Sequence, residues 1–165
     1  MRRLKGEYVE EEEVGESLIN VETHISDNYV SDESIKIEIH QMINEIDSFE
    51  KLEEVKKTLE DRFGTINESI EIYMYEEWFE KLAKKMNITE VRQNPRMITV
   101  TLPVSISSRL KGDKLFLEAY NINPKFQLKY ENQKISISLL LINKSKHFIF
   151  DIVKLIQKIH DDLEV

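Results

Sequence analysis
The spacing between apolar residues changes along this chain near residue 88, and that change restricts the fold more than any other feature. Before it the spacing is helical. Ile35, Ile39, Met42, Ile43 and Ile46 share one helical face, and Leu52, Val55, Leu59 and Phe63 share another. Ile70, Met74, Trp78, Leu82 and Met86, flanked by Ile72, Tyr75, Phe79 and Ala83, form a third stripe, broad enough to require burial on several sides. After it the spacing is mostly two. Ile88 to Gln93 and Met97 to Leu102 flank the turn dipeptide Asn94-Pro95. Phe126, Leu128 and Tyr130 alternate, Glu131 to Gln133 turn, and Ile135, Ile137, Leu139 and Leu141 alternate again, which predicts a hairpin. Phe148, Ile152, Leu155, Ile156, Ile159 and Leu163 then mark a long C-terminal helix, with Ser145 as its expected cap. Helices and strands are partly segregated. The expected class is α+β, with amphipathic helices packed on a small mixed or antiparallel sheet.

Local signals set the element ends. Ser31 or Asp32 can cap the first helix, Ser48 the second and Asn67 the third. Gly64 supplies the stop for the second helix, and Asn87 stands where a terminating glycine would serve the third. Pro103 ends its strand or confines it to an edge. Asp113 to Asn121 reads as a short helix, and the alternation from Ile19 to Ile25 reads as a strand. Residues 1–17 hold four consecutive glutamates, Glu10 to Glu13, and two of the four glycines. Like charges resist compaction, so this stretch is expected to be a flexible acidic linker or tail, with 18–165 as one domain.

The chemistry of the chain is mostly negative evidence. A formal charge of −8 over 165 residues repels phosphate backbones, although a local basic patch at Lys81, Lys84, Lys85, Arg92 and Arg96 stays conceivable as a DNA contact. No cysteine is present, which excludes disulfides and thiolate metal sites and fits a reducing compartment, the cytoplasm. No apolar run reaches the ~20 residues of a membrane helix. There is no phosphate-binding glycine loop, no dinucleotide fingerprint and no nucleophile elbow. His24, His40, His147 and His160 share no metal-ligand spacing and read as surface or core-edge residues. A non-catalytic binding or regulatory module is the expectation, with no cofactor of its own. Within it, Leu59 to Gly64 (LEDRFG) raises a question, because the negative end of a helix favours Arg62 and disfavours Asp61.

Two stretches carry a family resemblance. His24 to His40 (HISDNYVSDESIKIEIH) and Phe49 to Ile70 (FEKLEEVKKTLEDRFGTINESI) resemble the entry and the leucine-rich helix of the C-terminal domain of bacterial transcription-repair coupling factor. KKMNI at Lys84 to Ile88 resembles that family's helix exit, with Asn87 in the place of glycine, and LKG at Leu4 to Gly6 resembles the linker after its motor. Ser26, Ser31, Thr65 and Asn67 stand where the family commonly has prolines. The resemblance implies a fragment of an ATP-dependent DNA translocase whose ATP and magnesium are handled upstream. That parent would displace stalled RNA polymerase on DNA and recruit the excision-repair protein UvrA. The segment itself would be an autoinhibitory clamp, docked on the parent's N-terminal UvrB-like module and masking its UvrA-binding surface. The resemblance puts Asp61 and Arg62 on the docking face, with Thr58, Lys57 and Glu54 on the same helix. The alternative is direct protein recruitment or DNA contact through the Lys81 to Arg96 region.

Overall fold
The computed structural model describes residues 18, 24–141 and 147–164. Six helices and four strands follow in the order α1 (Glu33–Asn44), α2 (Phe49–Phe63), α3 (Glu68–Met86), β1 (Glu90–Asn94), β2 (Met97–Thr101), α4 (Val104–Ser107), α5 (Gly112–Ile122), β3 (Phe126–Glu131), β4 (Lys134–Leu140) and α6 (Phe148–Glu164). The class is α+β. The sheet is wholly antiparallel with order β1-β2-β4-β3, so the two hairpins join through their inner strands.

The helix ends follow their side chains. Asp32 caps α1, its Oδ1 accepting from Ser34 N–H at 2.8 Å and Ile35 N–H at 3.3 Å. Ser48 accepts from Lys51 N–H at 3.0 Å, and Asn67 from Ile70 N–H at 2.9 Å. These bonds satisfy donors that a helix cannot satisfy within its own first turn. Asn87 ends α3 in the left-handed region (φ 59°, ψ 34°), and Gly64 ends α2 at φ 92°, which side chains rarely adopt. In the hairpins, Asn94 Oδ1 accepts from Arg96 and Met97 N–H to close the first turn. Asn132 and Gln133, both at positive φ, make the two-residue turn of the second.

Helices α1, α2 and α6 all pack on α3, which buries ten of its residues. Helices α4 and α5 pack on β4 and β3, and the buried residues of both halves form one continuous core. Along β4, Ile135, Ile137 and Leu139 are buried while the intervening serines are half-exposed, as the period of two requires. Trp78 is a core residue whose indole N–H donates to Gln157 Oε1 at 3.1 Å. Ser107, also buried, fastens α4 to the sheet by donating to Leu102 O and accepting from Ile135 N–H.

Two sequence expectations change. His24 and Ile25, the described end of the expected first strand, lie outside the sheet; the rest of that segment lies outside the described residues. Helix α4 was not expected, because four residues after Pro103 are too few to show a period. Of the two roles expected of Pro103, ending its strand is the one met, since β2 is central. Ser145 and the expected tail, residues 1–17, lie outside the described residues.

Candidate docking face
Glu54, Lys57, Thr58, Asp61 and Arg62 fall at positions i, i+3, i+4, i+7 and i+8 of α2, the spacing of one helical stripe. Leu52, Val55 and Leu59 occupy the opposite side and are buried against the core, which fixes the rotation of the helix and turns the stripe outward. Glu54, Lys57, Asp61 and Arg62 are exposed and Thr58 is half-buried. The sequence-derived residues therefore converge on one surface.

Their pairing differs from what a helix end alone would give. Arg62 does not fold back on the last carbonyls of α2. Its guanidinium crosses to α1 and forks on Glu38, Nη1 to Oε2 at 2.6 Å and Nη2 to Oε1 at 3.3 Å. The hydrogen bond from Arg62 holds the Glu38 carboxyl below its ordinary value. The guanidinium also lies 4.8 Å from the Phe63 ring centroid, and Tyr29 meets the same ring edge-on at 6.3 Å. Tyr29 Oη donates to Gly64 O at 2.8 Å and approaches Leu59 O at 3.3 Å, so carbonyls at the end of α2 are satisfied by a tyrosine from the segment before α1. Glu54 pairs with Lys51 at 3.5 Å. Lys57 and Asp61 form no ion pair with each other or with any other described residue.

LEDRFG thus holds two kinds of charge. Arg62 joins two helices, and Asp61, with no ion-pair partner among the described residues, lies on the outer surface in an unfavourable place for a helix C-terminus. Glu38 was not visible in the sequence as part of this face; it lies 24 residues away, and nothing local signals the pairing.

Two lysines of the basic region are engaged with backbone carbonyls. Lys81 Nζ donates to Ile46 O at 2.5 Å and also to Asn44 O. Lys85 Nζ donates to Asp47 O at 3.3 Å and sits 5.3 Å from the Trp78 ring. Both lysines tie the end of α3 to the α1–α2 connection. Lys84, Arg92 and Arg96 are exposed, the last two on the β1–β2 hairpin. Among the described residues no helix is long and apolar enough to cross a membrane.

Residues 19–112 match the TRCF domain model, a span that contains all of α1 to α4 and the whole α2 stripe. The chain belongs to the TRCF domain family. Among curated proteins this TRCF domain is similar to the transcription-repair-coupling factor of Staphylococcus haemolyticus, 23% identical over 90% of this chain and 12% of that protein. It is similar also to that of Bacillus subtilis, 21% identical over 73% of this chain and 10% of that protein. The chain therefore spans about a tenth of the length of the curated relatives it matches. Its fold is that of the C-terminal domain of a transcription-repair coupling factor seen in a crystal structure, with TM-score 0.63, 21% identity, and coverage of 86% of this chain and 87% of that one.

Proposed function
We propose that this TRCF domain is a non-catalytic regulatory module of a longer transcription-repair coupling factor, and that it works by docking through the outward stripe of α2. In this reading the parent is an ATP-driven DNA translocase with nucleotide and magnesium bound in upstream domains, acting on stalled RNA polymerase. The domain clamps the parent's UvrB-like module and covers the surface that UvrA would occupy. The observation that carries the reading is the convergence of Glu54, Lys57, Thr58 and Asp61 on one exposed face, within the stretch matched by the family model. Alternating charges on a rigid helix select a partner by complementarity more than by apolar area. Arg62 contributes differently. Its fork on Glu38 holds α1 and α2 together, so it orients the stripe while remaining exposed at its edge.

The test uses the full-length parent. Lys57→Glu with Asp61→Lys reverses the two charges that have no ion-pair partner among the described residues and should leave the melting profile of the isolated 165-residue chain unchanged. In the parent the same pair should raise UvrA affinity by at least about tenfold, the effect of removing a central contact from an intramolecular mask. Unchanged UvrA affinity with an intact fold would remove α2 as the docking face.

A further inference from the structure
The opposite chemical character appears between α5 and β3. Residues 109–134 carry six cations (Arg109, Lys111, Lys114, Lys125, Lys129 and Lys134) against three acids, a net of +3 inside a chain of formal charge −8. The same region holds four of the six large apolar side chains left exposed among the described residues: Phe116, Leu117, Tyr120 and Tyr130, from 53% to 69% exposed. Basic charge and apolar exposure therefore coincide on one surface of an acidic domain.

The sheet explains why. Phe126, Leu128 and Tyr130 alternate along one face of β3, paired with Leu139, Ile137 and Ile135 of β4. Their burial declines in that order: Phe126 is buried, Leu128 is half-buried and Tyr130 is 69% exposed. The helical cover runs out along the strand. A groove of about 470 Å³ opens there, lined by Leu110, Leu115, Phe116, Leu128, Tyr130 and Ile135, with Lys129 on its wall. β3 is also an outer strand, and no described strand pairs with its far side. An apolar groove beside an unpaired strand edge suits an extended peptide, whose backbone can pair with the edge while alternate side chains enter the groove.

The cations decide what kind of peptide fits. Lys111 and Lys125 form no ion pair with described residues, and the pairs Lys114–Asp162 and Lys129–Glu131 are loose, at 3.8 and 3.5 Å. We propose that the α5–β3 groove is a binding site for an extended acidic segment of a protein partner, in which Asp or Glu alternates with aromatic or aliphatic anchors. The anchors occupy the groove beside Phe116 and Tyr130, and the carboxylates meet the lysine rim. A nucleic acid is disfavoured by the three acids interleaved with the cations and by the charge of the domain as a whole. The Phe116 and Tyr120 rings already stack on each other, at 6.2 Å and 27°, within the helix. This site involves none of the α2 residues and stands independently of the docking face above.

The test is binding of the 165-residue chain to a fluorescent peptide of roughly eight residues, a common strand length, alternating Glu with Phe and Leu. Matched peptides carry Lys in place of Glu, or Ser in place of Phe and Leu, and a short oligothymidylate is the fourth probe. The acidic apolar peptide should bind alone among the four, weaken as salt rises, and slow amide exchange along β3. Phe116→Ser with Tyr130→Ser should weaken it by about tenfold or more, as loss of a central anchor does. Lys129→Glu, a change at an exposed side chain, should weaken it through charge alone. Equal binding of the Lys or Ser peptide, tighter binding of the oligothymidylate, or insensitivity to both variants would overturn the proposal. Concentration-dependent dimerisation abolished by Tyr130→Ser would overturn it too, by making a second copy the occupant.

Discussion
His147 makes the start of α6 sensitive to mild acid. It stands immediately before the helix, and its Nδ1 accepts the backbone N–H of Ile149 at 3.1 Å, so the imidazole serves as the cap. The acceptor nitrogen carries no proton, which is the neutral form. Burial pushes the His147 pKa below its ordinary 6.5, with Glu68 pulling weakly in the other direction. The ring stacks on Phe148 at 4.4 Å between centroids, which keeps it in place. A histidine whose pKa is depressed by folding binds fewer protons in the folded than in the unfolded state. Its contribution is therefore intact above pH 6.5 and is lost as the pH falls through 6.5 towards the folded-state value. Protonation removes the cap, a loss of about 1 kcal/mol, and sets a cation against the positive end of the helix, about 0.3–1 kcal/mol more. The total of roughly 1–2 kcal/mol corresponds to a few degrees in Tm for a chain of this size. His147→Asn keeps a capping acceptor that does not titrate. Urea unfolding of both proteins at about pH 7.5 and about pH 5 spans the histidine range. The wild-type protein should lose roughly 1–2 kcal/mol more than the variant over that interval. Parallel losses in the two proteins would refute the capping argument.

Two further changes test other parts of the fold. Asn87→Gly should stabilise the domain by some tenths to about 1 kcal/mol in urea unfolding, because the left-handed conformation at φ 59° costs any residue with a Cβ; no gain would mean that the Asn87 side chain stabilises this turn in its own right. Burial, and then the hydrogen bond with Asp162, raise the pKa of Glu118 on α5 above the usual carboxylate value, so its ionised form opposes folding. Stability from this site is present below the unfolded value near 4.5 and is lost as the pH rises through the folded value. Glu118→Gln should therefore raise Tm at neutral pH and leave it unchanged in strong acid, as thermal melts across the range would report.

What was legible in the sequence is what short-range physics fixes. Ser48, Asn67, Gly64 and Asn87 act on backbone groups within one turn, so their roles follow from the residues beside them. The apolar stripes of α2, α3 and α6 and the alternation in β4 follow from helical and strand periods, whereas the set Glu54 to Arg62 was picked out by the family resemblance. Tertiary structure decided the rest. The joining of the hairpins through β2 and β4 rests on pairs such as Val100 with Ile137, which no local pattern specifies. Lys81 and Lys85 read as part of a basic surface until the α1–α2 connection is laid beside them. Arg62 reads as a helix-end charge until α1 brings up Glu38. The exposure of Tyr130 depends on where α5 stops covering β3, although its alternation with Leu128 predicts burial. The division has one cause: a cap or a period acts through neighbours a few residues away, whereas an ion pair, a strand order or an uncovered groove is set by partners that only the folded core brings within reach.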